Sequence, residues 1–350
     1  MKKVVLLMAL LILATAFLNA ATKMKMELWN RWTYEMYDGD VTKNELSLQR
    51  GYFRLEPTFG SNISGRFNVD FFSSDKDSDT DGAGLKIKYA YLDFKNLLPL
   101  KEATLTVGLM KTYFGTIYEY EYVVIEKDPS DLYKFAASAD YGFGISGYFP
   151  KGFGNYAIAV YNGEGYKYTG SKINIALNPL VNIRITPVPG VTVGGSYFMK
   201  NKNNDQVDGE DNPSREDYTQ FAGVMKLAYG PASILGQFLQ KTTDKPHDDA
   251  YEEKTEQVIS VLPVFKINEK FEIVGRYDMY DKNTDVDDEE DGSYDIMIGG
   301  CNYNIMRDEK NVPTLFVQVN FERIDYKAED SKPVDQLMVQ LRWIFSGVIN

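Results

Sequence analysis

The chain has 350 residues, with 50 Asp and Glu against 38 Lys and Arg, a formal charge of −12, one cysteine and one histidine. Such an acid excess excludes a nucleic-acid partner held by phosphate neutralisation, and a single cysteine excludes an intrachain disulfide. The lone histidine, His247, leaves no material for Ser–His nucleophilic chemistry or a His-rich zinc site, so neither catalytic residues nor a cofactor is expected.

The first residues read as an export signal. Lys2 and Lys3 make a positive start, residues 4–18 an apolar stretch, and Leu18, Asn19 and Ala20 a cleavage site. About 15 apolar residues fall short of the ~20 a spanning helix needs. Residues 1–20 are therefore expected to be removed; losing two lysines and no acid takes the charge from −12 to −14. The full chain carries 25 Tyr, 20 Phe and 28 Gly without a Pro/Ser-rich linker, so residues 21–350 read as one domain.

From there the period is two. Met24, Met26, Leu28, Trp32, Tyr34 and Met36 are apolar, and Lys25, Glu27, Arg31, Thr33 and Glu35 lie between them. Phe53 and Leu55 alternate with Arg50, Tyr52, Arg54 and Glu56; Ile63, Phe67, Val69 and Phe71 alternate with Arg66, Asn68 and Asp70. One apolar and one polar face mark strands. A fourth strand over residues 85–94 sets Leu85, Ile87, Tyr89 and Tyr91 against Lys86 and Lys88, and a fifth covers 103–111. Later ones follow at 139–148, 155–162, 180–186 (with 173–177 as an extension), 191–200, 218–229, 232–241, 257–265, 271–280, 294–305, 314–323 and 336–345. Cys301 falls in one of these as a small packed residue. The count is about sixteen.

Connections alternate in length. Short ones at 60–61, 96–102, 150–154, 187–190, 230–231, 268–269 and 307–313 carry turn formers. Long, mostly acidic ones lie at 38–45, 73–84, 163–171, 201–216, 242–256, 281–292 and 327–335. This is the pattern of an antiparallel transmembrane β-barrel, the all-β fold in which every backbone group pairs inside the protein. The segments are long enough for the ~9–11 residues of a crossing strand. Their second face carries charges that a sandwich core could not bury unpaired. Trp32, Tyr34, Tyr91, Tyr197, Tyr229, Tyr280 and Trp343 fall near strand ends, as interfacial girdles do. About sixteen strands enclose an aqueous channel, whereas about eight are filled by side chains.

Residues 107–138 break the pattern: a connection of roughly thirty residues rich in aromatics, the third on the long-loop side, and connections over about 12–15 residues are usually functional. Folded inward, it would form a constriction from Lys111, Tyr113, Phe114, Tyr118, Glu119, Tyr120, Glu121 and Lys127. The lumen wall would carry Arg50, Arg54, Arg66, Lys86, Lys88, Arg184, Lys226, Arg276 and Arg342 against Glu56, Asp70, Asp140, Glu272, Asp278 and Glu322. Asp77, Asp79 and Asp81 have the spacing of a calcium loop without its closing Glu, so a solvated acidic tip is expected rather than a metal site. Such acidic loops are also suited to share divalent cations with neighbouring lipopolysaccharide.

The stretches LKIKYAYLDFKNLLPLKEATLTVGLMKTYFG from Leu85, ADYGFGISGYF from Ala139, YAIAVYNGEG from Tyr156, PVPGVTVGGSYF from Pro187 and FEIVGRYDMYD from Phe271 resemble the Gram-negative porin O and P family, the phosphate-selective porins. The resemblance implies a sixteen-stranded, homotrimeric outer-membrane porin whose third long loop narrows the lumen, embedded in lipid and lipopolysaccharide. It also implies passage of small hydrophilic solutes or ions, anions such as phosphate among them. Glu119 and Glu121 between Tyr118, Tyr120 and Tyr122 depart from the family's basic constriction, so the solute stays open. The alternatives are a structural or adhesive outer-membrane barrel with a plugged lumen and, further off, a secreted soluble β-protein.

Overall fold

The computed structural model describes residues 21–74, 82–100, 102–167, 176–200, 217–243, 254–287 and 292–349. Sixteen strands run in chain order: β1 (Ala21–Tyr37), β2 (Asp40–Phe59), β3 (Ile63–Ser73), β4 (Ala83–Lys95), β5 (Thr104–Lys111), β6 (Ala139–Tyr148), β7 (Gly154–Tyr161) and β8 (Asn178–Val188). They continue as β9 (Val191–Lys200), β10 (Tyr218–Tyr229), β11 (Ala232–Thr243), β12 (Lys254–Lys266), β13 (Phe271–Asp281), β14 (Tyr294–Arg307), β15 (Pro313–Tyr326) and β16 (Val334–Ile349). Each pairs antiparallel with its neighbours in sequence, and β16 closes on β1 from Thr22–Ile349 to Tyr37–Val334. Closure leaves no open sheet edge between first and last strands.

The outer face carries the apolar half of each alternation. Ile158, Ile183, Phe221, Ile259, Tyr277, Met297 and Trp343 are all exposed there, and such a band is what lipid requires. Cys301 also lies on this face, paired across β13 to Ile273 and across β15 to Val319.

Three expectations need correction. The long connection at 38–45 is a two-residue turn, because β1 and β2 pair on to Tyr37–Asp40. Register irregularities near Gln49 and Lys88 reset which side chains face inward. In β4, Asn68 of β3 pairs with Tyr89 and Val69 with Ile87. Lys88 is thus the extra residue, and Tyr89 and Tyr91 turn into the lumen instead of joining the girdle. Tyr280 likewise faces inward, donating from its hydroxyl to Glu256 Oε2 at 3.1 Å.

The inner face is not polar throughout. Leu180, Leu239, Val258, Leu262, Val274, Ile296 and Ile298 point inward and are buried. They line β8 to β14, and what covers them is the third long loop.

Candidate functional site

The third long loop, L3 (residues 112–138), folds into the lumen and crosses it. Its local structure is short. Asp128 caps a one-turn helix, α1 (Pro129–Leu132), accepting from the Ser130 amide at 2.8 Å, and Pro129 follows at the first helical position. The other Asp128 oxygen accepts from Thr116 Oγ1 at 2.5 Å and Gln237 Nε2 at 3.4 Å. Burial pushes the Asp128 carboxyl above the usual range. Gly115 holds φ +51°, and a Cβ there would meet Ser130 Oγ at 2.4 Å, so only glycine fits this turn.

L3 is held to the wall at each stage. At its start, Gly115 N–H donates to Ser196 Oγ at 3.1 Å and its carbonyl accepts from Arg184 Nη2 at 2.5 Å. Phe114 packs on Phe198, with ring centres 6.4 Å apart. At the far side, Tyr122 O accepts from Gln318 Nε2 at 2.9 Å and Arg342 Nη1 at 3.1 Å. The Val123 carbonyl accepts from Asn302 at 2.8 Å, and the Ile125 amide donates to Asn320 at 2.7 Å. Trp29 meets the Tyr122 ring edge-on at 4.9 Å and lies between the guanidinium groups of Arg50 and Arg342, each 4.3 Å from its ring. Behind the helix, Arg276 and Asp278 form an ion pair with side chains wholly excluded from water. Asp278 also accepts from Tyr133 at 2.9 Å and Ser260 at 2.6 Å, and Arg276 donates to the Lys127 carbonyl. The Lys88 ammonium donates to Ser138 Oγ at the loop's exit.

One side of the lumen stays wet. Side-chain exposures facing the interior are 21% for Arg66, 31% for Glu56 and 30% for Glu119, against 0% for Arg276 and Asp278 under the loop. Arg66 pairs with Glu56 at 2.6 Å, Lys86 with Asp70 at 3.5 Å and Lys226 with Glu119 at 3.0 Å. Two neighbouring cavities of about 240 and 440 Å³ lie on this side, both bordered by Tyr91, Asp93 and Lys95. The turn-adjacent residues Ser61 and Tyr148 among their walls place them at the short-turn end.

Of the sequence-predicted constriction residues, Lys111, Tyr113, Tyr118 and Glu119 border the larger cavity. Tyr120 meets the Tyr122 ring edge-on at 5.0 Å and accepts from Arg276 at 3.4 Å; Glu121 and the Lys127 side chain are exposed. Phe114 is fully buried and touches no water, a correction that follows from its packing against Phe198. On the wall, Arg50, Arg54, Arg66, Lys86 and Lys226 are partly exposed, whereas Lys88, Arg276 and Arg342 are buried as anchors of L3. Asp77, Asp79 and Asp81 lie outside the described residues, among which no cluster of three or more His, Cys, Asp or Glu is placed to hold a metal ion. Sequence reading missed Trp29, Tyr89 and Tyr91 as inward residues. For the two tyrosines the missed signal is the extra residue at Lys88.

No protein-family profile matches the chain, and no curated protein matches its sequence. Solved structures do. OmpT, an outer membrane protein of Vibrio cholerae, in a trimer form folded in vitro, aligns with a TM-score of 0.62 at 12% identity over 93% of this chain and 99% of that one. A loop L8 deletion mutant of OmpT aligns at 0.60 and 14% over the same shares. OccK1 (OpdK) of Pseudomonas aeruginosa aligns at 0.56 and 10%, again over 93% and 99%. At such identities the likeness establishes the fold: the closed barrel of outer-membrane proteins, over nearly the whole chain.

Proposed function

We propose that this chain, exported by its first twenty residues, is an outer-membrane porin: a passive, non-enzymatic diffusion channel for small hydrophilic solutes, narrowed by L3. The observation that carries this reading is the contrast across the lumen. Over most of β8 to β14 the loop covers an apolar core, whereas the charged side chains of β2 to β4 stay partly exposed to the lumen. Charged groups are held wet when the space beside them conducts water, because burying them unpaired costs several kcal/mol. The alternating mix of Arg66, Glu56, Lys86 and Asp70 sets no strong charge preference, so phosphate selectivity is not part of the proposal. The termini and short turns would face the periplasm and the long acidic loops the exterior, beside lipopolysaccharide. A homotrimer agrees with the trimer form of the similar OmpT.

Single-channel recording of the purified protein in planar bilayers tests the reading; absence of stable conductance sinks it. A second reading has one observation in its favour. Eighteen buried residues of L3 and the wall form one core, which suits a structural barrel with a closed lumen. Conductance separates the two.

A further inference from the structure

We propose that Glu126 of L3 and Glu322 of β15 form a proton-operated latch, in which one shared proton holds residues 124–127 of the loop against the wall. The latch adds a regulation to the diffusion channel and assigns it no solute. Its two carboxyls are brought together by the docking of L3. The Ile125 amide donates to Asn320 Oδ1 at 2.7 Å, which places the next residue, Glu126, over the inner face of β15. Glu322 stands two residues beyond Asn320 on that same face. It is 2% exposed, and Glu126 acts on it as a like charge.

The donors around Glu322 are committed elsewhere. Its Oε2 is buried and has no hydrogen-bond partner among the described residues. From β13, Arg276 gives its donors to Asp278, the Lys127 carbonyl and the Tyr120 hydroxyl, and Asp278 itself adds negative charge. From β16, Gln336 lies opposite Glu322 in register but turns its amide to Glu35 Oε2 at 2.9 Å. From β1, Arg31 gives Nε to Gln340 at 3.0 Å and Nη2 to the Ile125 carbonyl at 3.5 Å. Tyr294 faces the pair from β14 with a phenol. Two acids therefore meet beside Arg31, whose donors go to neutral acceptors.

Two carboxylates in one dry site cannot both stay ionised cheaply, and a shared proton removes one of the charges. The docked stretch thus binds one proton more than the released one, in which both carboxyls meet water. Docking strengthens as pH falls and weakens as pH rises, by up to about tenfold per pH unit for a single proton. The anchors on either side limit how much of L3 is freed. Tyr122 stays bonded to Gln318 and Arg342, and Asp128 to Thr116 and Gln237. The short strap between them bows into the lumen on release and interrupts the current.

The test records the purified full-length barrel in planar bilayers across a pH series. Raising the pH from about 6 to about 8 is expected to increase the frequency of brief current interruptions by about tenfold or more. Glu322→Gln and Glu126→Gln, each leaving one carboxyl, are expected to flatten that dependence to within about twofold. Glu126→Gln lies on the loop and spares the barrel, and Glu121→Gln, an exposed neighbour on the same loop, keeps the wild-type dependence. A pH-independent wild type, an unaltered dependence in Glu126→Gln, or its loss in Glu121→Gln overturns the proposal. A protein that does not conduct at all defeats the channel reading instead. Hydrogen exchange of the Ile125 amide in the detergent-solubilised barrel, corrected for the intrinsic effect of pH, then decides the latch. Protection that falls with rising pH in the wild type and not in Glu126→Gln supports it, and equal protection throughout overturns it.

Discussion

Replacing Arg276 with methionine isolates what holds L3 in the lumen. Arg276 gives Nε to Asp278 at 2.9 Å, Nη2 to the same carboxylate, and Nη1 to the Lys127 carbonyl and the Tyr120 hydroxyl, the last at 3.4 Å. Methionine keeps the stem and removes every one of these donors. Asp278 then sits buried with two hydroxyl donors, Ser260 and Tyr133, and no counter-charge. Breaking a buried pair costs about 3–5 kcal/mol; with two hydroxyls remaining, the lower end, about 3 kcal/mol, applies. The backbone ladders of β13 to β12 and β14 are untouched, so the cost falls on the loop rather than the barrel. A loss of about 3 kcal/mol raises the open population of L3 by on the order of 10²-fold. Hydrogen exchange reads this directly. The amides of Ser130, Leu132 and Tyr133, bonded within α1, should exchange about a hundredfold faster, while ladder amides of β13 keep their protection. Unchanged exchange in α1 would refute the anchoring argument. Equal loss in the ladder would show that Arg276 supports the wall instead.

Three further outcomes follow from the same geometry. Glu119→Lys combined with Glu121→Lys should shift the reversal potential in a salt gradient towards anions, since Glu119 borders the wet cavity and its partner Lys226 would be left unpaired; no shift would place the narrowest point elsewhere. Ile259→Lys, on the exposed face of β12, should cost about 2–4 kcal/mol in a bilayer and reduce the heat-modifiable folded band on gels, whereas Lys86→Gln on the inner face should fold normally. Gly115→Ala should loosen L3, since it combines positive φ with a Cβ at 2.4 Å from Ser130 Oγ; limited proteolysis within 112–138 checks it, and wild-type resistance would count against the strained turn.

Where the chain's own periodicity decided the outcome, the sequence was readable. β6, β9 and β10 begin and end at the residues that alternation and turn formers mark, because a strand between lipid and water is constrained on both faces. L3 was legible by its length. What it does inside was not, for two physical reasons. A single extra residue at Lys88 reverses the parity of everything after it in β4, so Tyr89 and Tyr91 read as lipid-facing when they line the lumen. Nor does alternation distinguish an inner face that meets water from one that meets a folded loop. Leu180, Val258 and Ile296 look like neighbours of the outer apolar residues until L3 is in place to cover them. The same blindness hid the division of labour among the basic residues. Arg54 and Arg276 are indistinguishable in an alternating string, yet one stands in a wet wall and the other is the buried counter-charge that fastens the loop. Sequence charge counts therefore overstate the pore's basic lining. Arg184, Arg276 and Arg342 spend their donors on L3 backbone carbonyls. The field that a solute meets comes from the partly exposed groups of β2 to β4, Lys226 and the ammonium of Lys111.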